Sequence, residues 1–288
     1  MTTIALLGSG LLGHAMGQRL LEQGLNLKVW NRTPSRCSAL VEAGATAMEE
    51  LSSAADGCDA VITVLRDGPV TRDVALELSD LKGRCLIPMG TMGIAESREL
   101  AALITDRGGT YLEAPVLGSR PQALSGTLLV MAGGAPEVFQ QHQATLSLLS
   151  EKPMLVGPVG SGAATKLALN QLIASLTHAF SLALRLVQQA DVPIETFMDI
   201  LRPSALYAPT FDKKLERMLK QHYGDPNFST ALLRKDLMLF VTEATTAGLN
   251  PLGLSGLSTL LQQENAHHLD DLDYCALHEL TQSDRADQ

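Results

Sequence analysis

Along the first half of the chain, short apolar runs alternate with segments whose apolar residues recur every three to four positions. The runs Ile4–Leu7, Leu27–Trp30, Ala60–Leu65, Arg84–Pro88, Thr110–Glu113, Leu128–Ala132 and Met154–Val156 read as buried strands. Between them, Leu11–Gln23, Ala95–Arg107 and Pro136–Leu149 carry the helical period. Parallel strands need long crossovers, so this alternation predicts βαβ units gathered into a doubly wound parallel sheet. The pattern changes after the turn-rich Gly157-Pro158-Val159-Gly160-Ser161-Gly162. From Ala163 one helix runs to about Ala190, and Pro193 opens the next. Helices at Ile194–Leu201, Thr210–Gln221, Ser229–Ala247 and Leu254–His267 follow, with no convincing strand, and a polar tail comes after Thr281. The expectation is an α/β domain over residues 1–160 and a second, all-α domain over 161–288.

Composition narrows the partners. A chain of 288 residues with 45% hydrophobic positions can build about two cores. Its net charge of -9 offers no basic field, which argues against nucleic acid and against an anionic membrane surface. The longest apolar stretch, Ala163–Val187, carries Lys166, Asn170, Gln171, His178 and Arg185, too many polar groups for a bilayer centre. Cys37, Cys58, Cys85 and Cys275 show no Cys-x-x-Cys pair and sit in or beside apolar segments, as reduced thiols of a cytoplasmic protein do. His267 and His268 precede Asp270, Asp271 and Asp273, but adjacent histidines point to different faces of a helix, so no metal is assigned.

Gly8-Ser9-Gly10-Leu11-Leu12-Gly13 lies between a predicted strand and a predicted helix, the context that gives a G-x-G-x-x-G match its meaning. Gly8 permits the tight turn, Gly10 lets backbone approach a pyrophosphate, and Gly13 lets helix and strand pack closely, as in a Rossmann-type dinucleotide site. Ser9, Leu11 and Leu12 belong to the same cofactor-binding turn. The alternative is an ordinary glycine-rich turn. Where an NAD enzyme places a ribose-binding carboxylate, this chain has Asn31-Arg32-Thr33. A guanidinium without a carboxylate suits a 2′-phosphate, with Thr33 and Arg36 adding donors, so NADP is the expected cofactor.

With these motifs the chain resembles the β-hydroxyacid dehydrogenase family, which includes 3-hydroxyisobutyrate dehydrogenase and the glyoxylate/succinic semialdehyde reductases. The resemblance spans nearly the whole chain. Besides the glycine turn and Asn31-Arg32-Thr33-Pro34, it rests on Glu113-Ala114-Pro115-Val116-Leu117-Gly118-Ser119, on Gly157 to Asn170 and on Lys235-Asp236-Leu237. It implies a Rossmann domain, an all-helical domain, an active site between them and homo-oligomerisation, as dimer or tetramer, through the helical part. Lys166 matches the family's catalytic lysine, whose ammonium stabilises and protonates the alkoxide left when hydride reaches a carbonyl. Asn170, one helical turn further, shares its face. The resemblance also implies that Lys235 reaches the cofactor, that Asp236 braces the site and that Phe228 contacts substrate. Leu65 and Thr91 are further cofactor candidates, and Gly118 and Ser119, with their backbone amides, are candidates for a substrate carboxylate.

Two positions depart from the family pattern. Gly90, in Pro88-Met89-Gly90-Thr91, and Leu117 stand where the family usually has serine. The expected activity is NADP-dependent hydride transfer between a small carbonyl acid, such as glyoxylate or succinic semialdehyde, and its hydroxyacid. Two other readings stay open: an imine reductase, against which the retained Lys166 argues, and an NADP-binding protein without turnover, which the lost serines would suit.

Overall fold

The structure, a computed structural model, describes residues 2–79 and 81–282. It opens with β1 (Thr3–Leu7), α1 (Leu11–Glu22), β2 (Asn26–Trp30), α2 (Ser38–Glu42), β3 (Thr46–Ala47) and β4 (Ala60–Thr63). Then come α3 (Gly68–Glu77), β5 (Cys85–Pro88), α4 (Ile94–Asp106) and β6 (Thr110–Tyr111). These strands form one six-stranded sheet in the order β3-β2-β1-β4-β5-β6, every pair parallel. Strand side chains alternate between faces, and both faces here are covered: Ile4 and Leu6 enter one apolar core with Met16 and Leu20, while Ala5 and Leu7 enter another with Val74 and Leu78. The chain steps outward from β1 in one direction, then returns beside it at β4 to build the other. That reversal is the switch point of a doubly wound sheet, where ligands bind beyond the strands' C-terminal ends.

The last predicted strands do not extend this sheet. β7 (Val116–Leu117), α5 (Arg120–Ser125), β8 (Leu129–Gly133), α6 (Pro136–Ser147) and β9 (Met154–Gly157) follow, and β7-β8-β9 make a separate three-stranded sheet. Its β7–β8 pair is antiparallel and its β8–β9 pair parallel. The expected Thr110–Glu113 strand stops at Tyr111: Leu112 N and Ala114 N still donate to Leu86 O and Pro88 O, but Glu113 bridges Gly133, and Pro115, which has no N–H, offers only its carbonyl, to Met131 N at 3.0 Å. Helix α3 was not expected from the sequence. It starts at a local signal, Asp67, whose carboxylate accepts from Val70 N at 3.0 Å, with Pro69 in its first turn.

By internal packing the chain divides into two compact units, one up to Leu167 and one from Ala168. The division falls inside α7 (Ser161–Gln189), a helix of 29 residues. The second unit continues with α8 (Ile194–Leu201), α9 (Pro209–Leu219), α10 (Thr230–Thr246) and α11 (Ser255–Gln262), and among its described residues no strand forms. Its core gathers Ala174, Phe180 and Leu184 of α7 with Met198, Phe211, Leu233, Leu237 and Leu277; Phe180 stacks on Phe211 at 4.4 Å. By length and composition alone α7 could cross a membrane; Ala174, Phe180 and Leu184 place one of its faces in the core of the unit. The single helix expected over Leu254–His267 instead ends at Gln262 and resumes as a 3-10 turn at Glu264–Leu269. Arg234 accounts for the break: its guanidinium donates to Leu261 O at 2.5 Å and to Asp270 Oδ1 at 2.5 Å, taking a carbonyl that the helix would otherwise use. Most of the polar tail after Thr281 lies outside the described residues.

Candidate active site

The glycines of the β1–α1 turn answer to different demands. Gly8 has φ +107°, and a Cβ there would fall 2.4 Å from the Val64 carbonyl oxygen, so both conformation and space require glycine. A Cβ on Gly13 would fall 1.9 Å from Gly8 O, which fixes the close packing of α1 on the turn. Gly10 is different. Its backbone, φ -71° and ψ -174°, is open to any residue, and a Cβ there would meet no atom within 4 Å. Among the described residues nothing demands glycine at position 10, and its smallness leaves that face open to what approaches from outside. Gly10 is also the N-cap of α1, whose first turn has no side-chain cap and no acidic residue. Backbone N–H groups at the positive end of a helix, approached over a bare glycine, fit the pyrophosphate of a dinucleotide.

Around this turn, Asn31 acts as a brace: its Oδ1 accepts from Ser9 N at 3.1 Å and its Nδ2 donates to Thr33 O at 3.0 Å. Ser9 is buried, with Oγ 3.5 Å from Cys37 Sγ. Arg32, Thr33 and Arg36 are exposed, and among the described residues no ion pair engages either guanidinium. Leu11 is exposed, Leu12 and Leu65 are half-buried, and Thr91 is half-buried beside Gly90. A Cβ on Gly90 would fall 2.4 Å from Leu65 O, so the segment after β5 lies against the backbone that follows β4.

Gly118 has φ +131°, in the region that favours glycine. Ser119 N and Ser119 Oγ both donate to Gln122 Oε1 at 2.9 Å, opening α5 with a capping box. The serine donors that the sequence left for a substrate carboxylate are therefore engaged within the chain.

Sequence reasoning did not assign a role to Glu113 as an anchor. Its side chain is buried; Oε1 accepts from Gly160 N and from Gly162 N, each at 2.7 Å, and Oε2 accepts from Ser97 Oγ. Ser97 Oγ in turn pairs with Tyr111 OH at 2.8 Å. Burial pushes the Glu113 carboxyl above its ordinary range, and the donors Ser97, Gly162, Gly160 and Ala163 pull it partly back. These glycines lead into α7, and Lys166 stands half-buried in the second turn of that helix. The only signal in the sequence was an acidic residue closing an apolar run.

In the second unit, Asn170 Nδ2 donates to Asp236 Oδ2 at 2.5 Å, and Lys235 Nζ lies 2.7 Å from Asp236 Oδ1. A carboxylate only accepts, so Asp236 fixes which way the Asn170 carboxamide faces. Asn170 Oδ1 is then left buried with no hydrogen-bond partner among the described residues, which in a protein interior costs about 1–3 kcal/mol. Phe228, half-buried, packs against Tyr274 at 5.9 Å between ring centroids. His267 and Asp270, which looked metal-like in the sequence, instead meet Arg234 at the end of a helix.

Two family models cover almost the whole chain. The first, the NAD binding domain of 6-phosphogluconate dehydrogenase, matches residues 3–157. The second, the NAD-binding domain of NADP-dependent 3-hydroxyisobutyrate dehydrogenase, matches residues 160–281. The chain belongs to the β-hydroxyacid dehydrogenase family. This dehydrogenase is 30% identical over 287 residues to glyoxylate/succinic semialdehyde reductase 1 of Arabidopsis thaliana, covering 98% of its own length and 99% of that protein. Over 243 residues it is 28% identical to the cytokine-like nuclear factor N-PAC of Homo sapiens, covering 83% of its own length and 44% of that protein. Among solved structures it is similar to Mycobacterium tuberculosis 3-hydroxyisobutyrate dehydrogenase, with a TM-score of 0.89, 26% identity, and coverage of 98% and 100%. The dehydrogenase is thus an oxidoreductase that uses a nicotinamide cofactor, and the bare Gly10 face fits that group.

Proposed function

We propose that the dehydrogenase transfers hydride reversibly between NADPH and a small carbonyl acid, such as glyoxylate or succinic semialdehyde, giving the hydroxyacid. The observation that carries this reading is the buried, unpartnered Asn170 Oδ1, four residues beyond Lys166 on α7. Side chains four apart on a helix share a face, so an ammonium and an oriented acceptor are offered together. The bound nicotinamide supplies the hydride. Lys166 supplies what the cofactor does not: Nζ donates a hydrogen bond to the carbonyl oxygen and passes its proton to the alkoxide as charge develops. Asn170, oriented by Asp236, receives a hydroxyl or ammonium hydrogen and holds it in line. Exposed Arg32, with Thr33 and Arg36 beside it and no carboxylate at the end of β2, supports NADP over NAD.

A homo-oligomer, dimer or tetramer, belongs to the same reading. Leu172, Leu176, Leu182 and Leu186 leave an exposed apolar stripe on α7 that a second copy would cover. A cytoplasmic location accords with four unpaired cysteines.

The test is NADPH consumption across glyoxylate, semialdehydes, larger ketones and cyclic imines, with NADH in parallel. Turnover of a carbonyl acid with NADPH, lowered about 100-fold or more in Lys166→Ala, is the expected result. Tight NADPH binding with no turnover would establish an idle binder. Reduction of cyclic imines that survives Lys166→Ala would establish an imine reductase.

A further inference from the structure

A long helix can satisfy its first N–H groups locally, with a serine or aspartate at its N-cap. α7 begins at Ser161 after Gly160 and draws instead on Glu113, a carboxylate that comes from the end of the main sheet. One oxygen holds Gly160 N and Gly162 N at 2.7 Å each; the other is held by Ser97 of α4, which Tyr111 of β6 holds in turn at 2.8 Å. The surrounding backbone is shaped to this side chain. A Cβ on Gly133 would fall 2.1 Å from Glu113 Oε1, and one on Gly162 would fall 3.1 Å from it and 2.5 Å from Met131 O. Burying a carboxylate is costly, and a local cap would satisfy the same amides without that cost. What a distant carboxylate adds is position: it ties the start of the helix to the sheet.

We propose that Glu113 is a positioning residue for Lys166, fixing the first turn of α7 against the sheet so that the ammonium stays in register with the reacting carbonyl. Lys166 lies four residues past Gly162, about 6 Å along the axis at the usual helical rise, so any shift or rotation of the first turn passes to it almost undiminished. The inference rests on the reading of Lys166 as the proton donor.

Two measurements on the full-length protein test it. In steady-state kinetics, Glu113→Ala should lower kcat by about 30- to 100-fold, the scale of a misplacement near 1 Å, while the Kd for NADPH stays within about twofold. Glu113→Gln keeps an oxygen for the two amides and should lose no more than about threefold. In a Lys166→Ala background, Glu113→Ala should cost nothing more, because its effect runs through the missing ammonium. A Glu113→Ala enzyme with parental kcat, or losses that multiply in the double variant, would overturn the proposal. Should Glu113→Ala fail to fold, Ser97→Ala frees one carboxylate oxygen without emptying the cradle and should show a smaller kcat loss with unchanged NADPH affinity. Independently of activity, hydrogen exchange at the Gly160, Gly162 and Ala163 amides should accelerate about tenfold or more in Glu113→Ala, with the rest of the first unit unchanged. Unchanged exchange there overturns the anchor. Accelerated exchange in a protein whose parent turns over no carbonyl would uphold the anchor and sink the reading of Lys166.

Discussion

The tripeptide Gly-Ser-Gly occurs at two helix starts of the first unit, Gly8-Ser9-Gly10 leading into α1 and Gly160-Ser161-Gly162 opening α7, and the two treat the helix end in opposite ways. At α1 no side chain caps the helix, and the direction of a Cβ from Gly10 is clear of protein atoms. At α7 the first amides are taken by the protein's own carboxylate, Glu113, and a Cβ on Gly162 would fall 2.5 Å from Met131 O and 3.1 Å from Glu113 Oε1. The positive end of a helix attracts an anion in either case. Whether that anion is a ligand or a side chain is decided by what the rest of the fold delivers to the turn, which the local sequence does not state.

Substitution at the two second glycines separates the cases most sharply. Gly10→Val should leave folding intact and weaken NADPH binding about 100-fold, equivalent to about 2.7 kcal/mol, measured by titration of cofactor fluorescence. Gly162→Ala should do the reverse, lowering stability by about 1–3 kcal/mol in thermal unfolding while the folded protein binds NADPH as before. If Gly10→Val instead unfolds the chain and binds cofactor normally where it folds, the contrast between the turns collapses. At the open turn, Arg32→Ala should cost about tenfold in NADPH affinity and leave NADH unchanged, since only the former carries the 2′-phosphate. Equal losses for both cofactors would remove Arg32 from the discrimination.

The smallest effect expected concerns pH at the filled turn. Burial raises the carboxyl of Glu113 in the folded protein above its unfolded value. Such a group favours the folded state below the unfolded pKa, and that contribution is lost as pH rises through the raised folded pKa. Glu113→Gln, which cannot ionise, should therefore gain Tm relative to the parent as pH climbs above the ordinary carboxylate range. A Tm difference that stays flat across that interval would mean that the donors around the carboxylate fully offset its burial.

How much of this could be read from the sequence depended on how far apart the partners lie along it. β1 and β4 are central parallel strands covered on both faces, so they appear as unbroken apolar runs, and the glycine turn follows β1 directly. Lys166 came from the family resemblance, and Asn170 from standing one helical turn beyond it. Glu113 was missed because its partners stand 16, 47 and 49 residues away, at Ser97, Gly160 and Gly162. The β7-β8-β9 sheet was misassigned for a related reason: a two-residue strand leaves almost no periodicity from which its antiparallel pairing with β8 could be read. The pairing of Asn170 with Asp236 crosses 66 residues and was not foreseen; the resemblance implied only that Asp236 braces the site.

Gly90 limits what position 90 can accept. The family resemblance implies a serine there, yet a Cβ would lie 2.4 Å from the Leu65 carbonyl oxygen, which is backbone and cannot swing aside. A single substitution to serine is therefore blocked by sterics, and the loop after β4 must move first. Tolerance at position 90 is thus conditional: any side chain there needs a second change that parts the two backbone segments.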